Sequence, residues 1–519
     1  MTIHRSPLPD VEIPDVSITE YVLRKASELA NTPALIDGVS GEEWTFSELS
    51  DKIHSFAGGL AAKGFGPGST LAIMAPNLPW YAVVFHGAAT AGGTITTVNP
   101  TYTADEVRHQ LQDSGATILV VVAAAVEVAA AAIEGTDVTE VFLIGAPEAA
   151  PSIEAPSVET LMGDPISQVA IDNATHTVVL PYSSGTTGLP KGVMLSHTNL
   201  VANLAQSEHV LIYDDDELAL AVLPFFHIYG MQVLMNGLLA EGVGVITLPR
   251  FDLVAALELI QTRKVTRLYA VPPMVLALAK QPVIDSYDLA SLRSVVSGAA
   301  PLGAEVALEA ADRIGCEVVQ AYGMTELSPV SHATPPGGFK PGSSGLTVSN
   351  TEVRIVNEEG EDQPLNAEGE LWVRGPQVML GYLNNDEATA ATVTEDGWLR
   401  TGDVAVLDDD GHMFIVDRLK ELIKYKGFQV PPAELEAMLL THPGIGDCAV
   451  IGIPDQEAGE LPKAFVVCKP DTEVSETDVL EFISGQVASY KQIRIVEFID
   501  EIPKSASGKI LRRFLRDRA

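Results

Sequence analysis

Positive charge is scarce in this chain: 32 Lys and Arg stand against 69 Asp and Glu, a formal net charge of −37. So acidic a surface repels nucleic acid and anionic lipid as a whole, which excludes both as main partners. It favours solubility, including in a salty cytoplasm. A polyphosphate could be held only where amides and cations gather locally. Cysteine is nearly absent. Cys316, Cys448 and Cys468 form no CxxC pair and no zinc pattern, so neither a disulfide framework nor a structural metal site is expected. Spacing alone leaves a thiol nucleophile open, and nothing supports one. Long apolar runs are missing too: no stretch approaches the roughly 18 uninterrupted apolar residues of a membrane span. The first residues, MTIHRSPLPDVEIPD, lack an apolar signal core, and the closing RDRA is no peroxisomal address. The expected location is therefore the cytoplasm.

A hydrophobic content of 46% with 19% charged residues describes a folded chain, and 519 residues exceed what one ordinary core serves. Capping boxes mark three early helix starts: Ser17 with Glu20, Thr45 with Glu48, and Thr103 with Glu106. Short apolar runs lie between and after them, at 71–75, 117–122, 141–145, 178–182, 218–224, 243–249, 292–298 and 316–322. β-branched runs alternating with helical segments predict largely parallel sheets flanked by helices, an α/β fold. The Ala-rich stretch 123–132 reads as helix. From about Ser349 strands follow one another quickly, at 351–356, 369–375 and 412–418, as in a small β-rich subdomain. The remainder reads as a compact α+β unit. The expected division is 1–417 (β-rich part about 349–417), a hinge at 418–420, and a small mobile domain at 421–519.

One segment carries chemistry on its own terms. Tyr182 is followed by SSGTTGLPKG (183–192), directly after an apolar strand. Gly185 and Gly188 let the backbone approach a polyphosphate, Ser183, Ser184, Thr186 and Thr187 add hydroxyls, and Lys191 adds a charge. The spacing is not that of a Walker A loop, which needs Ser or Thr directly after GK.

Seven further segments join it in order: LPFFHIYG (223–230), SGAAPLG (297–303), QAYGMTE (320–326), GELWVRGPQVMLGYLNN (369–385), GWLRTGD (397–403), VDRLKELIKYKGFQVPPAELE (416–436) and PKSASGK (503–509). Together they resemble the adenylate-forming superfamily of acyl-CoA synthetases, luciferases and adenylation domains, over roughly residues 15–515. Within it the likeness is closest to the 4-coumarate–CoA ligase group and its bacterial relatives.

The resemblance implies an ATP-dependent acid–thiol ligase that uses ATP, Mg²⁺ and coenzyme A, as a monomer or homodimer. It implies that Thr325 meets the AMP phosphate, and that Glu326, with Thr187, holds Mg²⁺. Gln320, Ala321 and Tyr322 would flank the adenine, Gly323 would belong to the same nucleotide site, and Asp403 and Arg418 would serve the ribose hydroxyls. Lys509 would bridge the attacking carboxylate and the α-phosphate, with His227 near that carboxylate. Lys420 would be the pivot, Lys424 and Gln429 adenylate contacts, and Lys426 and Gly427 coenzyme A contacts. Read singly, Glu326, Asp403, Arg418 and Lys509 would be unremarked surface charges, and His227 a core histidine.

Tyr229, Val233, Val296, Gly298, Ala299, Ala300, Gly323, Pro329 and Val330 would line the acyl pocket. Val233 stands where plant enzymes of the group usually carry serine, and Val296 where they usually carry lysine. Both departures remove polar partners for a ring hydroxyl, so tolerance of cinnamate and other less polar acids is expected. A fatty acyl-CoA ligase, a luciferase-like oxygenase and an enzyme loading a carrier protein are the alternatives. A non-enzymatic scaffold would be expected to have lost one of Thr187, Lys191, Glu326, Asp403, Arg418 or Lys509.

Overall fold

The computed structural model describes residues 2–147, 149–183, 190–470, 472–505 and 508–519. All three anticipated capping boxes form, Ser17, Thr45 and Thr103 each accepting from the backbone three residues on. Two more start helices at Ser196 and Ser475, where Asn199 and Asp478 replace the usual Glu. The Ala-rich stretch is a single tight turn, Ala123–Ala125, running into helix Val126–Ala132.

Among the described residues, two large sheets dominate the fold. One has seven strands, and its centre runs Thr177–Ser183, Thr94–Val98, Thr70–Met74, Ile118–Val122, all parallel. The other has nine, and its centre runs Glu317–Gly323, Ser294–Ser297, Arg267–Ala270, Leu218–Ala221, Gly244–Thr247, also parallel. Helices such as Pro79–Thr90, buried on nearly every face, fill the space between, which explains strands apolar on both sides.

The β-rich part is a five-stranded antiparallel sheet ordered His4–Arg5, Glu352–Val356, Glu368–Arg374, Leu399–Leu407, Met413–Arg418. Its first strand comes from the N-terminus, which no sequence pattern marks. After Arg418 the chain enters a further sheet built from Ile423–Tyr425, Phe428–Val430, Ile445–Asp455, Gly459–Cys468 and Ile495–Phe498. That sheet buries its own cluster around Leu435, Leu439, Val450, Val466 and Ile483, separate from the main core.

The main core also encloses neutral histidines. His86 and His197 are fully buried, with Nδ1 atoms 3.1 Å from Thr19 Oγ1 and the Ile18 amide respectively. His197 stacks on His176 at 5.8 Å. Burial pushes both His86 and His197 down to about 3, neighbouring histidines adding to the effect on His197. The unfolded chain takes up protons below about pH 6.5 while these folded sites do not, so stability present at neutral pH is lost as pH falls from about 6.5 toward 3. Each histidine should contribute about 1.4 kcal/mol per pH unit in that window. His86→Gln is expected to flatten the decline by one histidine's share, read from denaturant unfolding between pH 7.5 and 5. An unchanged slope would show that His86 takes up its proton while folded.

Candidate active site

The cleft is built where strand ends from the two large sheets meet the antiparallel sheet. Strand Glu317–Gly323 delivers Gln320, Ala321, Tyr322 and Gly323, and a short helix, Thr325–Leu327, follows at once. Gly323 is required by packing: a Cβ there would lie 2.2 Å from the Pro329 carbonyl oxygen. Gln320 ties strand to loop, its Oε1 accepting from the Leu302 amide at 3.0 Å. Thr325 and Glu326 are both buried.

Glu326 is the centre of a hydroxyl cluster. Its Oε1 accepts from Ser183 Oγ at 3.0 Å and from Tyr382 Oη at 2.8 Å. Burial and the Glu326 charge raise the Tyr382 pKa, so this phenol stays protonated and donates. Lys191 Nζ sits 3.9 Å from the Tyr382 ring centre, a cation–π contact. Strand pairing explains the arrangement: Gly381–Tyr382 adds to Lys191–Ser196, which pairs in turn with Thr177–Ser183. Residue-by-residue reading missed Tyr382, although the GYLNN segment containing it was visible. Ser184, Gly185, Thr186, Thr187 and Gly188 lie outside the described residues.

Asp403 and Arg418 face each other across adjacent antiparallel strands. Arg418 Nε lies 3.0 Å from Asp403 Oδ1, and Tyr322 Oη donates to Asp403 Oδ2 at 2.5 Å. Asp403 is 4% exposed, so these two partners replace the water it gives up. The Asp403 charge is the main cause raising the Arg418 pKa.

Lys509 enters from the C-terminal sheet. Its turn is fixed by Ser505 N donating to Lys509 O at 2.8 Å and Gly508 N to Ser505 O at 2.8 Å. Gly508 has φ +78°, and a Cβ there would lie 2.9 Å from Val271 Cγ2 of the large domain, so only glycine lets the turn approach so closely. Burial and the Arg418 charge lower the Lys509 pKa, while Asp403 and Glu326 oppose the shift. The ammonium therefore lies within the field of all three site residues.

Burial holds His227 down at about 3, and Lys509 reinforces the shift, so its ring is neutral. Its Nδ1 accepts from the Tyr229 amide at 3.3 Å, which leaves the ring proton on Nε2. Tyr229 starts a π-helix, Tyr229–Gly237, that also carries Val233. Tyr229 Oη is spent on the Val296 carbonyl at 3.1 Å, and its ring packs over Gly298, where a Cβ would meet ring atoms at 3.0–3.3 Å. Val233, Val296 and Val330 are buried, and Ala299 takes a left-handed φ of +70°. Pro329 is also buried, and Ala300 is half-exposed at the turn.

Four expected contacts are not brought to the cleft. Lys424, Lys426, Gly427 and Gln429 are exposed on the hairpin of Ile423–Tyr425 and Phe428–Val430. Gln429 Nε2 donates instead to Glu358 at 2.9 Å. Lys420 is exposed in the turn between the last two sheets. The cysteines are free, and burial pushes Cys316 up to about 11 and Cys448 upward, so neither thiol is activated.

Residues 22–383 match the AMP-binding enzyme family, and 434–509 match the AMP-binding enzyme C-terminal domain. The chain belongs to the AMP-binding enzyme family. It is 44% identical over 528 residues to a 4-coumarate–CoA ligase of Pinus taeda, spanning 99% of this chain and 97% of that enzyme. It is likewise 44% identical over 527 residues to 4-coumarate–CoA ligase 2 of Nicotiana tabacum, spanning 99% and 96%. The motifs point to bacterial members of the group, whereas these relatives are plant enzymes. An anthranilate CoA ligase solved with anthranoyl-AMP superposes with TM-score 0.89 at 27% identity, over 99% of this chain and 98% of that one. ATP-bound MatB from Rhodopseudomonas palustris superposes with TM-score 0.85 at 28% identity, over 97% and 99%. The enzyme is an AMP-forming acid–thiol ligase with ATP and coenzyme A as co-substrates. Among the described residues no helix is long and apolar enough to cross a membrane.

Proposed function

We propose that this ligase activates a planar phenylpropenoic acid, cinnamate or a hydroxycinnamate, and works in the cytoplasm as a monomer or homodimer. The observation that carries the reading is Lys509, delivered from the C-terminal sheet into the field of Arg418, Asp403 and Glu326. A cation prepositioned there suits attack on a phosphoryl group. A carboxylate oxygen bonds to the α-phosphorus of ATP, the bridging P–O bond breaks, and pyrophosphate leaves. Lys509 neutralises charge at the attacking oxygen and the α-phosphate. His227, neutral with a proton on Nε2, donates to the substrate carboxylate without competing for its charge. Glu326, a buried carboxylate set among hydroxyls, fits a hard cation, and with Thr187 would hold Mg²⁺, which when bound offsets phosphate charge.

For the second step the C-terminal unit turns about Lys420. Lys509 withdraws, and the exposed hairpin swings in with Lys424 and Gln429 for the adenylate and Lys426 and Gly427 for coenzyme A. The thiol sulfur bonds to the acyl carbon, the acyl–phosphate C–O bond breaks, AMP leaves, and the thiol proton passes to solvent. Domain motions of this kind take roughly microseconds to milliseconds.

A flat wall made by the Tyr229 ring lying against Gly298 supports an aryl acid, and Val233 and Val296 offer no side-chain partner to a ring hydroxyl. A site that pairs such a hydroxyl rejects its absence by about 10⁴–10⁵. Cinnamate should therefore turn over within about tenfold of 4-coumarate. The test is pyrophosphate release, with and without coenzyme A, from cinnamate, 4-coumarate, ferulate, benzoate, octanoate and palmitate. Turnover only with octanoate or palmitate would move the enzyme to fatty acids. Strict preference for 4-coumarate would overturn the reading of Val233 and Val296.

A further inference from the structure

Beside the pivot lies a buried polar cluster that the reaction scheme leaves unused. Asp417 belongs to the antiparallel sheet, pairs with Val404, and is 5% exposed. Its Oδ1 accepts from the Arg418 amide at 2.7 Å, and its Oδ2 from the Ala433 amide at 2.8 Å. Ala433 lies in the first turn of helix Pro432–Leu439, whose free amides no side chain of its own caps. Asp417 thus caps, from the large domain, a helix on the far side of the pivot. Glu436 of that helix accepts from Arg512 through both oxygens, at 2.6 and 2.8 Å. Arg512 Nε also donates to the Val450 carbonyl at 3.2 Å, and its charge faces Asp417. Glu421, bonded to Arg516, adds to the charges around Arg512. Arg512 stands only three residues after Lys509.

We propose that Asp417 is a positioning residue for acyl-adenylate formation: it seats helix Pro432–Leu439 and Arg512 against the large domain and so holds Lys509 in the cleft. The inference rests on the reading of Lys509 given above. Asp417 is fixed to one side of the pivot, whereas Ala433, Glu436 and Arg512 travel with Lys509. The contact can therefore form fully in one domain stance and must be remade or lost in another. Burial pushes the Asp417 carboxyl up to about 6; Glu436 adds to this, while Arg512 and the two amides oppose it. The charge is thus held against its desolvation; a neutral group of equal shape keeps the packing but can accept only one of the two amides, so it weakens the cap while keeping the fold. Small misplacements of a catalytic group cost rate steeply, about 100-fold for 1 Å.

Asp417→Asn in the full chain tests this. The unfolding midpoint should fall by a few degrees at most, ATP–pyrophosphate exchange should fall about 10- to 100-fold, and acyl transfer from presynthesised acyl-adenylate to coenzyme A should keep its rate. Arg512→Gln should show the same split. As pH falls through about 6, wild type also becomes neutral at 417, so its exchange rate should converge on that of the variant. Arg512 and Glu436 face the carboxyl, with Glu421 and its partner Arg516 beyond Arg512; all four are the same in both proteins and cancel in the ratio. Equal loss in both half-reactions, no loss, or a ratio independent of pH would overturn the proposal. Lys509→Ala is run alongside. If it fails to separate the half-reactions, the reading of Lys509 falls and this inference with it; if it separates them and Asp417→Asn does not, only the role of Asp417 falls.

Discussion

Lys509→Ala should slow acyl-adenylate formation by about 10²–10³-fold, the usual cost of removing one prepositioned group at a transition-state charge. Transfer from a presynthesised acyl-adenylate to coenzyme A should be nearly unaffected. The asymmetry follows from the geometry. Ser505, Gly508 and Lys509 are bonded to one another and Gly508 lies close to Val271, so the ammonium is aimed before substrate arrives. Partial desolvation strengthens its interactions, and Asp403 and Glu326 help keep it charged. In the proposed transfer step charge grows on the departing AMP phosphate only after Lys509 has withdrawn, so other groups meet it. The measurement is single-turnover kinetics of each half-reaction. Equal loss in both would assign Lys509 to substrate binding in general.

Asp403→Ala should weaken ATP binding by roughly 30-fold, about 2 kcal/mol, with adenylation falling in step. Asp403 separates two groups that would otherwise lose their anchor, the Arg418 guanidinium and the Tyr322 hydroxyl. Removing one member of a buried charge pair costs about 2–5 kcal/mol, much of it from the charge left behind. Arg418 keeps 38% of its side-chain surface in contact with solvent, which places the effect at the low end. Calorimetric titration with ATP reads the affinity directly. Full affinity in the variant would show that Arg418 and Tyr322 hold their places unaided and that the ribose is bound elsewhere.

Much of the fold was legible because its signals are local. Capping boxes act within one turn of helix, and Ser17, Thr45 and Thr103 behave as their spacing predicts. Apolar runs such as 117–122 become central strands because a parallel sheet covered on both faces requires no polar alternation. The strand Lys191–Ser196 was not visible, since a motif dominated by glycine, proline and hydroxyl residues opens into it. The strand His4–Arg5 was not visible either, because two residues carry no period and the partner lies about 350 positions away.

The candidate site divides along the same line. Ordered motifs placed Glu326, Asp403, Arg418 and Lys509 in one reaction, although each alone would pass as a surface charge. They carried no sign of Tyr382 as the common partner of Glu326 and Lys191, or of Asp417 as a cap across the pivot, since both contacts are made by strand pairing and domain seating. The class of chemistry was legible in residue type and order, because the motifs of an AMP-forming ligase follow one another along the chain. Which of these groups stand together depends on contacts between distant strands and loops. Lys509 lies within the field of Arg418, Asp403 and Glu326 while Lys424, Lys426, Gly427 and Gln429 face solvent, because the fold carries them on separate segments of the C-terminal part.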